Sequence, residues 1–267
     1  MLKKILNAFF VFTCLLCLSA CRSEKDPNQI RIGTISGPET QLMQVAKQVA
    51  LHQYGLHLKI IEFSDYSLPN IALNDGSLDA NMFQHQLFLD EEIKNKHYRL
   101  VAVAKIFVYP MGIYSQKIQR LNELKKNAIV AIPNDPSNEA RALLLLQQAK
   151  LLKLNTNTKK LATPQDIILN PKHLQIKELA TAQLTRALPD VTCAVINTNY
   201  AILANLYPQK NALFAEDKNS VYANLLVVKT QDKNNLKLKE LINALHSPKV
   251  LAAAQTLFHG QAIPTWK

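Results

Sequence analysis

Predicted strands and helices alternate along this chain of 267 residues, and this alternation restricts its fold more than any other feature. The apolar runs at residues 30–35 and 58–63 are typical of buried strands. Between them, residues 39–52 carry apolar side chains at helical spacing. A second series begins with a strand at 129–132 and a helix at 136–152. The pattern predicts an α/β fold with mainly parallel sheets, in which ligands bind at the carboxyl ends of strands.

The first residues indicate export from the cytoplasm. Two lysines precede an apolar stretch at residues 8–18, and the sequence LSAC closes that stretch at Cys21. This ending resembles the lipobox of bacterial lipoproteins, in which the cysteine is acylated after cleavage. The alternative is an uncleaved transmembrane helix, but the stretch is shorter than the roughly 20 residues that span a bilayer. We therefore predict a signal peptide at residues 1–20, a polar tether at 21–29, and a lipid anchor on Cys21 that holds the protein on the extracytoplasmic face of a bacterial membrane.

Charge and cysteine content argue against a nucleic-acid-binding protein and leave one cysteine in the folded body. The net charge of +11 taken alone suggests nucleic-acid binding, but the lysines are dispersed and no zinc-finger spacing accompanies them. A solvated basic surface with no nucleic-acid partner is the better interpretation. Cys14 and Cys17 form a C-x-x-C inside the leader, so with Cys21 acylated only Cys193 remains in the body. Cys193 lies in an apolar run, where a buried inert thiol is expected.

Motifs for catalysis and for cofactor binding are absent from the sequence. The six glycines form neither a G-x-G-x-x-G nor a P-loop pattern, so a phosphate-cradling loop is not supported. There is no G-x-S-x-G and no H-E-x-x-H, and the seven histidines are scattered. We therefore expect no catalytic residues, no cofactor and no metal site.

The run PNDPSNEAR at residues 133–141 has the strongest local chemical signature. Asp135 is a plausible N-cap residue and Pro136 suits the first helical position. Asn138 and Arg141 then share one face near the positive end of the helix. Together they offer a guanidinium and an amide to a small anion, most simply a carboxylate. The alternative is that Arg141 pairs with an acidic side chain on the surface and Asn138 satisfies local backbone groups.

Aromatic residues and asparagines complete the set of candidate site residues. Phe83 and His85 share a face of an extended segment, as do Phe107 and Tyr109. Such rings suit an apolar, polarizable side chain such as a thioether, although aromatic residues at this spacing usually pack a core. Tyr66 and Phe88 lie next to these segments, and Asn197 and Asn224 adjoin apolar strands, where a single asparagine is usually a turn residue.

Several ordered motifs together resemble the methionine-binding lipoproteins of the NlpA (MetQ) family. The likeness runs from about residue 30 to the C-terminus and includes the leader. The matching segments are DYSLPN at 65–70, DANMFQH at 79–85, FVYP at 107–110, residues 133–147, AVINT at 194–198, EDK at 216–218 and YANL at 222–225.

The resemblance implies a periplasmic-binding-protein fold with two α/β lobes around a central ligand cleft. It places lobe 1 at residues 30–113 and 221–267, and lobe 2 at residues 114–220. It also implies capture of L-methionine for an ABC transporter permease driven by a cytoplasmic ATPase. In the family pattern, Arg141 resembles the residue that binds the ligand carboxylate, with Asn138 beside it. Asn197 and Asn224 resemble the amides that hold the amino-acid backbone. The residues that resemble the pocket around the ligand side chain are Tyr66, Phe83, His85, Phe88 and Tyr109.

The chain departs from the family pattern at two positions. Phe88 stands where a tyrosine is frequent, which removes one phenolic hydroxyl, and Glu139-Ala140 replaces a Leu-Gly pair beside Arg141. Other readings remain open within this class: the ligand is D-methionine, a methionine derivative or another apolar amino acid. From other classes, a surface lipoprotein that acts by protein contact and an exported hydrolase are the alternatives.

Overall fold

The computed structural model describes residues 26–155 and 161–266. The predicted signal peptide and Cys21 lie outside these residues, as does the first part of the predicted tether. None of the helices in the described ranges is long and apolar enough to cross a bilayer.

Strands and helices alternate along most of the chain, as the sequence predicts. The elements in chain order are β1 (Gln29–Ile35), α1 (Pro38–Tyr54), β2 (His57–Phe63), α2 (Pro69–Asn74), β3 (Ala80–His85), α3 (Gln86–Lys96), β4 (Leu100–Val108), β5 (Gly112–Tyr114), β6 (Ile129–Pro133), α4 (Pro136–Gln148), β7 (Lys153–Leu154), β8 (Ile167–Leu169), β9 (Gln175–Leu179), β10 (Cys193–Ile196), α5 (Thr198–Leu203), α6 (Pro208–Asn211), β11 (Phe214–Ala215), β12 (Ala223–Lys229), α7 (Leu236–Leu245), α8 (Pro248–Leu257) and β13 (Ile263–Pro264).

The first sheet has six strands in the order β13-β4-β12-β3-β1-β2. Strand β1 runs parallel to β2 and β3, whereas β12 lies between β3 and β4 and is antiparallel to both. The sheet is mixed, so the prediction of mainly parallel sheets is wrong. The spacing of apolar residues reports which faces of a strand are buried and carries no information about strand direction. The antiparallel return of β12 therefore has no signal in the local sequence.

The second sheet has five strands in the order β11-β5-β10-β6-β9. Strand β6 is parallel to β9 and β10, and β5 is antiparallel to β10 and β11. The extended region predicted at residues 100–114 is divided between the sheets, because β4 belongs to the first and β5 to the second. Gly112 starts β5 where the chain has no room for a side chain: a Cβ there would lie 2.8 Å from the hydroxyl of buried Tyr114.

The chain passes from the first sheet to the second at residues 109–111 and returns at residues 216–222. One apolar core packs α1, α7 and α8 against the first sheet, and another packs α4 against the second. A third core joins the two, since it combines Ile35 and Phe83 of the first sheet with Tyr114 and Ile196 of the second. The two sheets therefore meet near the carboxyl ends of β1, β3 and β10, where α/β folds bind ligands.

Candidate functional site

A buried cavity between the two sheets contains all nine predicted site residues in its wall. The space in it that is free for a water-sized molecule is about 20 Å³. The first sheet and its helices contribute the residues around β3 and α3, and the second contributes the residues around α4 and β10. The lining residues are Glu39, Tyr66, Phe83, Gln84, His85, Phe88, Tyr109, Asn138, Arg141, Asn197, Thr198, Asn199 and Asn224.

Aromatic rings form one side of this cavity. The centroids of Tyr66, Phe83 and Phe88 lie 5.7 to 5.9 Å from one another, and Phe88 meets both of the other rings edge to face. This spacing is within the favourable range for aromatic pairs, so the rings hold one another in place. Tyr109, another residue of the wall, stacks on Phe258 at 4.2 Å. The result is a rigid apolar surface suited to a flexible, polarizable side chain.

His85 is a neutral imidazole with a defined tautomer. It ends β3 and caps α3, because its Nδ1 accepts a hydrogen bond from the Phe88 backbone N–H at 3.2 Å. Nε2 therefore carries the proton and donates to Asn138 Oδ1 at 3.3 Å. Burial, reinforced by the positive charge of Arg141, lowers the pKa of His85 to about 3. The ring contributes shape and one N–H group, and no charge.

Asn138 connects three elements of the site. The predicted N-cap is confirmed: Asp135 Oδ1 accepts from the Asn138 backbone N–H at 3.0 Å and opens α4. The Asn138 side-chain amide also donates to the Asp135 carboxylate, and its Oδ1 accepts from Asn197 Nδ2 at 2.9 Å as well as from His85. The amide is thus engaged within the protein, in a geometry that orients His85 and Asn197.

Arg141 lies at the cavity with its charge already paired. Its guanidinium donates to both carboxylate oxygens of Glu216, through Nε at 2.7 Å and Nη2 at 2.5 Å, and Nη2 also donates to the Tyr109 carbonyl. The Tyr222 ring covers the guanidinium at 4.4 Å. The side chains of Arg141 and Glu216 are only 4% and 7% exposed. The acidic partner foreseen as an alternative therefore exists, but its side chain is buried beside Arg141 and not on the surface.

Four buried polar atoms of the cavity wall have no hydrogen-bond partner among the described residues. Asn197 Oδ1 is an acceptor and Asn199 Nδ2 is a donor. Glu39 Oε2 accepts when the carboxyl group is ionised and donates when it is protonated, and the Tyr109 hydroxyl can do either. Unpaired buried polar groups are costly in a folded protein. A cavity that presents both free donors and free acceptors is suited to a ligand that carries both an anionic and a cationic group.

The cavity is closed by direct hydrogen bonds between its two sides. Tyr66 donates its hydroxyl proton to Asn199 Oδ1 at 2.8 Å, and Tyr200 donates to the Ser64 carbonyl at 3.3 Å. A larger, solvent-open depression lies beyond the Tyr66 and Phe88 rings, which line both spaces.

The family of the chain follows from comparison with known proteins. The family model of the NlpA lipoproteins matches residues 30–266. This chain belongs to the NlpA lipoprotein family. The D-methionine-binding lipoprotein MetQ of Salmonella typhi is 47% identical over 254 residues, which are 94% of either chain. Family membership confirms the resemblance inferred from the ordered motifs.

Solved structures of NlpA relatives confirm the fold. A periplasmic substrate-binding protein of an ABC transporter from Coxiella burnetii matches with a TM-score of 0.86 and 58% identity, covering 88% of this chain and all of that one. A nutrient-binding protein from Burkholderia cenocepacia, solved with bound methionine, matches with a TM-score of 0.87 and 46% identity over 89% of this chain and all of that one. The chain therefore has the α/β fold of the NlpA periplasmic binding proteins.

Two acidic residues at or beside the candidate site were not identified from the sequence pattern. Glu216 belongs to the matching EDK segment, but nothing local links it to Arg141, which is 75 residues away. Glu39 lies in the first turn of α1, directly after a buried strand. A carboxylate at that position is a usual helix-start residue, so only its 1% exposure distinguishes it.

The departure at Glu139 lies outside the cavity wall. Glu139 is in the first turn of α4 and is 8% exposed. Burial raises its pKa to about 7, and the negative charges of Glu178 and Asp135 add to the effect. The Glu139 carboxyl group therefore interacts with Glu178 of β9 and with Asp135, the N-cap residue of α4.

Proposed function

We propose that this chain is the substrate-binding lipoprotein of an ABC importer, which captures L-methionine and delivers it to a membrane permease driven by a cytoplasmic ATPase. The observation that carries the proposal is the closed cavity, in which an aromatic wall faces unpaired polar donors and acceptors. The names of the relatives support it, since one is a D-methionine-binding lipoprotein and another was solved with methionine. No covalent step is required.

The cavity offers a different surface to each part of methionine. The side chain with its thioether fits against Tyr66, Phe83 and Phe88, where sulfur–aromatic contacts add to apolar burial. The carboxylate is the natural partner of Arg141, which retains donor capacity at Nη1, and of Asn199 Nδ2. Specificity follows because a ligand that leaves any of these buried groups unpaired loses about 1–3 kcal/mol for each.

We propose that the two sheets belong to two lobes that separate to admit the ligand. The boundaries inferred from the sequence, residues 30–113 with 221–267 and residues 114–220, fall close to the two crossings at 109–111 and 216–222. The hydrogen bonds Tyr66–Asn199, Tyr200–Ser64 and His85–Asn138 cross the cleft and break on opening. Few bonds close the cleft, so ligand contacts are able to shift the equilibrium toward the closed form.

We also propose that the mature protein begins at Cys21 and is held to a bacterial membrane by lipid on that residue. The leader preceding it and membership of a lipoprotein family support this anchor. A lipid anchor keeps the binding protein near its permease, which raises the effective concentration for docking.

D-methionine is the second candidate ligand, because the Salmonella typhi relative carries that stereoisomer in its name. Both enantiomers present the same charged groups and the same side chain. The two enantiomers differ in which polar group of the wall their carboxylate and ammonium groups reach. Discrimination between them therefore depends on the four unpaired atoms.

The test is to identify what the protein binds. We expect mass spectrometry of the denatured protein to release methionine, and calorimetry of stripped protein to show tight binding of L-methionine with weaker binding of methionine amide, which lacks the anion. Stripped protein that binds neither enantiomer of methionine would refute the proposal. Tighter binding of D-methionine would replace the L-methionine assignment with the second candidate.

A further inference from the structure

The cavity contains a carboxyl group that lacks a cationic partner within the described residues. Glu39 accepts a hydrogen bond from Asn224 Nδ2 at 2.6 Å through Oε1, while Oε2 faces the cavity unpaired. Its residue exposure is 1%. An ionised carboxylate without a partner is strongly disfavoured in such a place, because burial removes its hydration.

The groups around Glu39 do not supply the missing positive charge. The phenols of Tyr66, Tyr109 and Tyr200 are the titratable groups that respond to it. Burial raises the pKa of each phenol, and ionisation of Glu39 raises it further. These phenols are neutral at physiological pH and act on Glu39 only as dipoles.

The two basic side chains in the cavity wall do not supply a positive charge to Glu39 either. Arg141 is neutralised by the carboxylate of Glu216, and His85 is neutral with its Nδ1 engaged by a backbone N–H. When Glu39 is ionised in the empty cavity, no positive charge of the wall is therefore available to balance it.

We infer that Glu39 is the counter-ion of the ligand's α-ammonium group, and that it releases its proton to solvent when the ligand enters. This inference rests on the proposed function and specifies which residue recognises the amino end. The proton leaves from Oε2, and the ammonium keeps its three protons. The resulting carboxylate accepts a charge-assisted hydrogen bond from one N–H group of the ammonium. Asn197 Oδ1, also unpaired, is the second acceptor for the same group.

Proton release makes binding depend on pH in one direction. Burial raises the pKa of Glu39 well above its usual value in the empty cavity, against the weaker opposing effect of its bond to Asn224. A bound ammonium lowers that pKa again. Between the two pKa values, L-methionine binding releases up to one proton and tightens by up to tenfold for each unit of rising pH. Above the pKa of the empty state, both effects vanish.

The experiment is calorimetric titration of stripped protein with L-methionine from pH 5 to 8, each pH being measured in two buffers of different ionisation enthalpy. The buffer dependence of the heat counts the protons released. We expect release that approaches one proton in the acid part of this range, with the dissociation constant falling as pH rises. 4-(Methylthio)butanoate, which lacks the ammonium, should bind at least tenfold more weakly than methionine and release no proton.

The diagnostic variant is Glu39→Gln, which keeps an oxygen for the Asn224 bond and removes the charge. It should weaken methionine at least tenfold at pH 8, abolish proton release and lose the preference for methionine over the analogue. The matched control is Glu139→Gln, because Glu139 is also a buried carboxyl in a first helical turn and has a raised pKa, yet lies outside the cavity wall. This control should release protons as the wild type does.

The outcomes separate this inference from the proposed function. Wild-type protein that binds methionine without proton release from pH 5 to 8, or Glu39→Gln protein that binds it like the wild type, overturns the role of Glu39 and leaves methionine binding intact. Wild-type protein that binds no methionine overturns both. If Glu39→Gln does not fold, the proton count and the analogue comparison on the wild type decide the question.

Discussion

The replacement Arg141→Ala separates the structural role of this residue from its proposed role in binding. In the unliganded protein the change leaves the Glu216 carboxylate 7% exposed and without its guanidinium, although the Met111 backbone N–H and the Ser220 hydroxyl still donate to it. Removing one member of a buried ion pair costs about 3–5 kcal/mol. For a chain of this size each kcal/mol corresponds to about 2–4 °C, so the melting temperature should fall by about 6–20 °C.

Methionine should then fail to restore the loss. In the wild type, ligand at a hundredfold excess over its dissociation constant stabilises the folded state by about 2.7 kcal/mol, which is a rise of about 5–11 °C. Arg141→Ala should lose most of this rise, because the ligand carboxylate has no cation left to bind. Thermal unfolding followed by circular dichroism, with and without L-methionine, measures both quantities on the same samples.

A double variant provides the control. Arg141→Met combined with Glu216→Gln removes both charges together, and replacing a buried pair as a unit is often neutral for stability. This protein should regain most of the melting temperature without regaining the methionine-dependent rise. An unliganded Arg141→Ala protein that melts within 2 °C of the wild type would refute the reasoning that the Glu216 pair supports the fold. A full methionine response in either variant would refute a carboxylate-binding role for Arg141.

Three further predictions concern single residues. Phe88→Tyr should change the affinity for methionine by only about 1 kcal/mol, the net value of one hydrogen bond. Phe88→Ala should weaken the affinity measured by calorimetry by more, because the contacts with Tyr66 and Phe83 are also lost. Equal binding by Phe88→Ala and the wild type would place the ring outside the pocket. Cys21→Ser should leave the protein unlipidated, and its recovery in salt-washed membranes with the leader removed would contradict the anchor. The pKa of His85 is about 3 in the folded state and about 6.5 in the unfolded state, so its contribution to stability is present above pH 6.5 and is lost as pH falls toward 3. His85→Gln should therefore flatten the dependence of the denaturant midpoint on pH between these values. An unchanged slope would show that this histidine is not buried in its neutral form.

The sequence by itself determined the elements of this protein and the identity of its candidate site. Helix starts are local events, so Asp135 and Pro136 mark the beginning of α4 from their side chains alone. Buried strands are recognisable from short apolar runs for the same reason. Phe83 and His85 share the cavity wall because two residues of one strand separated by a single position point the same way.

Tertiary structure alone decided how these residues act on one another. The Arg141–Glu216 pair joins positions 75 residues apart, and the Glu39–Asn224 hydrogen bond joins positions 185 residues apart. Strand direction depends likewise on where β12 returns to the first sheet. The charge of Glu39 depends on the removal of water by residues from both sheets. Burial and pairing are properties of the assembled fold, and no local pattern encodes the partner that a distant segment brings to a buried charge.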